Sequence, residues 1–275
     1  MLNATLEMIY PKHSSLTATL ESEQSLPHSI GQVEMEGETA RLIFTFPAEK
    51  NIIQDLCALI EGLGGRAGAM GAHFMIAALQ ESSPLHYALC QCCYRPLYSQ
   101  KFWKVDVERT AKLSADYHWQ SSSAQDLIAI QTFLKACLPK IVQPIWQLKP
   151  QRYPDFLLYI NSELCGMASI HRHSDSTFLY PLLLPDHPSY SQALSSLVRK
   201  VHTPNVFMVI PSFQSYLERE QTVLKTVTVL KQTMMVKYFV LHQKAIQEVE
   251  ESMLVKNRVR KPSTPIAPTI TQEKN

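Results

Sequence analysis

A strand–helix–strand–helix–strand pattern occurs twice in this chain of 275 residues. Residues 40–47 (ARLIFTFP) form a β-type apolar run ending in proline. Ile52, Ile53, Leu56, Leu59 and Ile60 then fall at helical spacing. Residues 73–79 (HFMIAAL) make an apolar run of strand length, 84–93 read as a helix, and 98–105 (YSQKFWKV) as a strand. The order returns as strand 178–185, helix 190–201, strand 206–211, helix 214–224 and strand 231–240. Pro47 and Pro185, Phe74 and Phe207, and Gln100 and Gln232 are separated by 138, 133 and 132 residues. A nearly constant offset with small loop-length drift predicts a duplicated α/β unit.

The second unit has the fuller lead-in: a short strand near 116–120, an amphipathic helix over 125–138 stopped by Pro139, and strands 155–160 and 167–173 around a turn. Ahead of Ala40 there are only 39 residues, holding six glutamates against Lys12, so the first unit is expected to lack part of its opening. Residues 251–275 carry five basic side chains against Glu251 and Glu273, and Pro262, Pro265 and Pro268 interrupt them. That composition predicts a disordered tail. The expected division is 1–110, 111–246 and a tail over 247–275. Lys plus Arg is 26 and Asp plus Glu 24, a net +2, too small an excess for a protein built to bind nucleic acid. No apolar run reaches the ~18 residues of a membrane span and the start lacks a secretory pattern. Six cysteines are too few for a disulfide scaffold, and a cytoplasmic location is expected.

The segments HFMIAALQESSPLHYALCQCCYRPLYSQKFWKV and VFMVIPSFQSYLEREQTVLKTVTVLKQTMMVKY resemble the closing strand–helix–strand of the GCN5-related N-acetyltransferase superfamily, where a helix ends at a Gly-Phe pair. The two arrangements together cover about residues 16–245. The resemblance implies an α/β (α+β) fold of two such domains, each a mixed, mostly antiparallel sheet flanked by helices. It also implies acetyl transfer from acetyl-CoA, or another acyl-CoA, to a small amine or a protein amine. In such enzymes a neutral amine attacks directly while backbone donors on splayed strands polarise the thioester carbonyl. The cleft would lie beside Thr45, Phe46, Ala48 and Asn51 in the first unit, or Leu184, His187 and Ser189 in the second.

Departures from the superfamily pattern bear on activity. Its members carry an Arg/Gln-x-x-Gly-x-Gly/Ala loop, because pyrophosphate must meet free backbone N–H groups at a helix N-terminus. The matching stretches here are Pro47-Ala48-Glu49-Lys50-Asn51 and Pro185-Asp186-His187-Pro188-Ser189, both without glycine. Glu49 and Asp186 place negative charge beside a negative ligand, and Pro188 removes a donor. The Gly-Phe pair corresponds to Cys93-Tyr94 and Lys225-Thr226, and the general-acid tyrosine to Leu89 or Gln221. Catalysis is therefore expected to be weakened or lost, the alternative being a binding, scaffolding or acyl-CoA-sensing protein.

Other candidates carry less. Gly62, Gly64, Gly65, Gly68 and Gly71 follow a helix and precede a strand, the reverse of a phosphate loop, and predict a helix end with a flexible connection. Cys90-Gln-Cys92-Cys93 has no second pair for zinc and reads as buried small hydrophobes. His171, His173 and Asp175 alternate on one strand face, a pattern open to a divalent ion; no metal is expected. Phe102, Trp103, Trp119 and Trp146 are expected in packing roles.

Overall fold

A computed structural model describes residues 14–21, 27–47, 53–83, 85–110, 117–146, 154–185, 189–201 and 203–239. In chain order the strands and helices are β1 (Ser14–Glu21), β2 (Pro27–Glu36), β3 (Thr39–Pro47), α1 (Ile53–Ala69), β4 (Phe74–Gln80), α2 (Leu85–Gln91), β5 (Arg95–Val105) and α3 (Val107–Thr110). Then come β6 (Trp119–Ser121), α4 (Leu127–Cys137), β7 (Phe156–Ile160), β8 (Glu163–Arg172), β9 (Ser176–Leu183), α5 (Tyr190–Val198) and β10 (Asn205–Pro211). A 3-10 helix (Ser212–Arg219), α6 (Glu220–Leu224) and β11 (Thr226–Tyr238) close the series. The described residues, all between 14 and 239, lie within one compact unit.

The eleven strands of the described residues join one sheet in the order β1-β2-β3-β4-β11-β5-β10-β9-β8-β7-β6. Among the described residues only β3–β4 and β9–β10 pair parallel, each bridged by one helix as a parallel crossover requires. From the centre outward the order is a palindrome: β11 matches β5, β4 matches β10, β3 matches β9, β2 matches β8 and β1 matches β7. The last strand of each half is therefore inserted into the other half. On the axis of the palindrome Gln232 is registered opposite Gln100, and Gln100 Nε2 donates to Gln232 Oε1 over 2.9 Å. Self-contact of matching residues is the mark of a two-fold arrangement. The two residues are 132 apart, the offset read from the repeat.

The packing follows the exchange. Leu56, Leu59, Ile60, Leu63 and Ala67 repeat at three- and four-residue steps, so α1 buries one stripe against β1, β2 and β3. Met235 of β11 lies in that core, and Lys237 Nζ reaches Glu61 Oε1 of α1 over 2.6 Å. Conversely Trp103 and Val105 of β5 lie in the second core, with Trp119, Leu158, Leu194, Leu197 and Met208. Trp119 is fully buried, and its indole N–H donates to Ala193 O at 2.9 Å.

Three expectations need correction. The first half does open with strands, β1 and β2, which pair as a meander with β3. The glycines after Leu59 do not form a loose connection: α1 continues to Ala69 and ends where Gly71 takes φ 95°. Helix continues because Leu63 and Ala67 extend the buried stripe of Leu56, Leu59 and Ile60 through the glycines. Of the neighbouring cysteines only Cys92 is buried; Cys90 and Cys93 are exposed, Cys93 because it takes the left-handed turn after α2. The expected tail over 247–275 lies outside the described residues. Among the described residues no helix is long and apolar enough to cross a membrane.

Candidate functional site

Each parallel pair comes apart after four residues. β3 pairs β4 from Thr39 opposite Phe74 to Leu42 opposite Ala77, and β9 pairs β10 from Ser176 opposite Asn205 to Leu179 opposite Met208. Beyond those points β3 runs on to Pro47 and β4 to Gln80, while β9 runs on to Leu183 and β10 to Pro211. Each half thus has a notch where two parallel strands splay and leave inward-facing backbone groups without a ladder partner. A helix begins above each notch, α1 in the first half and α5 in the second, offering the positive end of its dipole.

The second notch is filled from within. Gln214 sits at a kink in the 3-10 helix (φ −108°, ψ 33°) and is 1% exposed. Its Nε2 donates to Pro181 O at 2.8 Å, and its Oε1 accepts from the Leu183 N–H at 3.0 Å. The Tyr216 hydroxyl donates to Leu183 O at 2.5 Å. One side-chain amide and one phenol therefore take the backbone groups of β9 that a neighbouring strand, or an extended ligand, would otherwise meet. The Tyr216 ring lies 5.3 Å from that of Tyr190, and burial holds its hydroxyl protonated well above the usual tyrosine range. The edge of β5 beside this notch is covered as well: Ser99 N–H donates to Ser212 Oγ at 3.3 Å, and Tyr98 packs on Phe213 and Trp146.

The first notch differs at several corresponding points. The matching turn after β4 holds Glu81 and Ser82, both exposed. Ala78 and Gln80 of β4 are exposed, whereas Val209, Ile210 and Pro211 of β10 are buried. Among the described residues no side chain bonds the free edge of residues 43–47.

Of the residues expected to line the clefts, Thr45 is half-buried on the splayed part of β3, and Phe46 lies on the same strand. Ala48, Asn51 and His187 lie outside the described residues. Leu184 is half-buried and its N–H donates to Cys165 O at 3.0 Å, prolonging the β8–β9 ladder. Ser189 is the N-cap residue of α5, in extended conformation. Gln214 and Tyr216 are not marked by the sequence: in Ser212-Phe213-Gln214-Ser215-Tyr216 the glutamine stands among other polar residues and no spacing singles it out.

Other candidates are placed in packing roles. Leu89 is fully buried, and Gln221 Nε2 donates to Thr228 Oγ1 at 2.9 Å. Burial pushes the Cys92 and Cys137 thiols up to about 12, far from thiolate chemistry. The His171 ring packs at a tilt of 48° on Tyr180, centroids 4.8 Å apart, and His173 meets Phe178 edge-on at 5.4 Å. No group of three or more potential metal ligands gathers among the described residues.

Splayed parallel strands beneath a helix start, within a mixed and mostly antiparallel sheet, define the fold of the GCN5-related N-acetyltransferases. Solved structures bear this out. The chain matches such an enzyme from Sphaerobacter thermophilus with TM-score 0.55 at 8% identity, over 81% of this chain and 80% of that one. One from Kribbella flavida matches with TM-score 0.52 at 13% identity, over 79% and 89%. A tandem protein of the fold from the clavulanic acid biosynthesis pathway matches with TM-score 0.50 at 9% identity, over 83% and 84%. No protein-family model and no curated protein sequence matches the chain.

Proposed function

We propose that the chain is a duplicated acetyltransferase-fold protein, with units over 1–110 and 111–246, in which only the first notch takes an acyl-CoA. The reading rests on Gln214: the strand edge that an extended pantetheine arm would have to pair in the second notch is already hydrogen-bonded to this side chain and to Tyr216. In the first notch the free groups of residues 43–47, with Thr45 and Phe46 on that strand and Ala48 and Asn51 beyond it, would hold the thioester arm. The chemistry supplied by bound acetyl-CoA is an activated acetyl group for an amine. Catalysis is weakened or absent. No glycine stands in either phosphate-facing stretch, and no described residue at the tyrosine position can protonate a leaving thiolate. Leu184, His187 and Ser189 flank a notch retired to a structural joint. A binding or scaffolding protein without any acyl-CoA site is the second reading, favoured by Glu49 and Asp186 in those stretches.

The test is thermal unfolding with acetyl-CoA, CoA and desulfo-CoA. Ligand at ten times its Kd stabilises by roughly 1.4 kcal/mol, a rise in Tm of about 3–6 °C for a domain of this size. Ala48→Trp is expected to abolish the rise and His187→Trp to leave it intact. The reverse pattern refutes the assignment to the first notch. No rise at millimolar ligand supports the scaffold reading, and a rise without turnover on a panel of amines marks a sensor.

A further inference from the structure

We infer that a second site, separate from both notches, lies where the exchanged strands emerge at one end of the sheet, and that it binds a phosphorylated small molecule with an apolar body. The end of β5, α3, the last turn of α6 and the start of β11 line a shallow, largely open pocket of about 600 Å³ there. That volume suits a small ligand and is too small for a folded partner. Three cations line it, Lys104, Arg109 and Lys225, against one carboxylate, Asp106. Asp106 is already engaged by Arg109: Nε lies 3.3 Å from Oδ2, and the Arg109 backbone N–H donates to Oδ1 at 3.1 Å. Neither lysine has an ion pair among the described residues, so two positive charges face the pocket uncompensated. A phosphomonoester, close to dianionic at neutral pH, matches that charge, and the Arg109 guanidinium offers the planar donor fork that phosphate accepts.

Two further observations mark the pocket as built. Thr226 lines it, and its Oγ1 is sealed from solvent without a protein partner, an unusual state for a buried hydroxyl. Lys225 holds left-handed backbone (φ 52°) where glycine is the default. Its counterpart Cys93, 132 residues earlier, has φ 64°, so the conformation belongs to the turn, but only the second half places a cation there. The walls are anchored: Thr110 Oγ1 donates to Leu224 O at 2.9 Å, and Ser195 Oγ donates to Thr110 O at 2.7 Å. Val227, 66% exposed on the rim, supplies apolar surface for the rest of the ligand. Thr226 lies six residues along β11 from Gln232, opposite the end of β4, roughly 20 Å at ~3.4 Å per residue. The pocket is therefore not part of the first notch.

Calorimetric titration of the full chain with phenyl phosphate, at fixed ionic strength, tests the site. One equivalent is expected to bind, more tightly than inorganic phosphate or phenol alone. The double variant Lys104→Met/Lys225→Met, altered only at exposed side chains, is expected to lose affinity by about tenfold or more while keeping the wild-type circular dichroism. Ala48→Trp is expected to leave the titration unchanged, which separates this site from the acyl-CoA notch. Absence of heat at millimolar phenyl phosphate, equal affinity in the double variant, or sensitivity to Ala48→Trp would each overturn the proposal.

Discussion

Replacing Gln214 by leucine keeps the side chain's approximate size and removes the two hydrogen bonds its amide makes to β9 in the second notch. The residue is 1% exposed, so water does not take over the vacated partners. The Leu183 N–H and the Pro181 carbonyl are left buried and unpaired, while Tyr216 still serves Leu183 O. At roughly 1–3 kcal/mol for each unsatisfied buried group, the expected loss is about 2–6 kcal/mol. For a chain of this size that corresponds to a fall in Tm of about 4–24 °C. Urea and thermal unfolding of the full chain, followed by circular dichroism, read it directly. Glu81→Ala, at the matching exposed turn of the first half, is the control and should change stability by less than about 0.5 kcal/mol. A Gln214→Leu protein as stable as wild type would show that the notch is not held shut by this side chain.

Cys93→Gly and Lys225→Gly relieve left-handed backbone at equivalent turns and should each raise stability by about 1 kcal/mol, or Tm by about 2–4 °C; a drop would contradict the strain assigned to φ 64° and 52°. Lys225→Gly should at the same time weaken phenyl phosphate binding, a gain and a loss in one variant. Asp126 is held below its ordinary value of 3.8, first by its hydrogen bond with Ser123 and then by that with Tyr159. A depressed folded value contributes stability that is complete above 3.8 and is lost as pH falls below it. The stability gap between wild type and Asp126→Asn should therefore close between pH 5 and pH 2, and a gap independent of pH would refute the coupling. Trp119→Phe removes the bond to Ala193 O and leaves a cavity in a fully buried site; a loss of about 2–4 kcal/mol is expected in urea unfolding.

Much of this fold could be read from hydrophobic spacing. The offset of 132 residues between Gln100 and Gln232 pointed to equivalence, and the two are found bonded to each other. What spacing does not carry is the choice of partner strand. β5 and β11 read as the closing strands of their own units, yet each is inserted in the other, because registry across the sheet depends on long-range pairing. Local propensity disfavours helix over the glycines of α1, yet Leu63 and Ala67 carry its buried stripe through them, a tertiary effect that local spacing of Gly residues does not show. The closure of the second notch was hidden for a related reason. Gln214 acts through a kinked 3-10 turn, where helical periodicity assigns it no face.

Hydrogen–deuterium exchange of the full chain, with and without saturating acetyl-CoA, bears most directly on the proposed use of one notch and closure of its twin. Slowed exchange over residues 43–47 and 78–80, with residues 180–183 unchanged, is the result expected. Ligand-induced protection confined to 180–183 would contradict it.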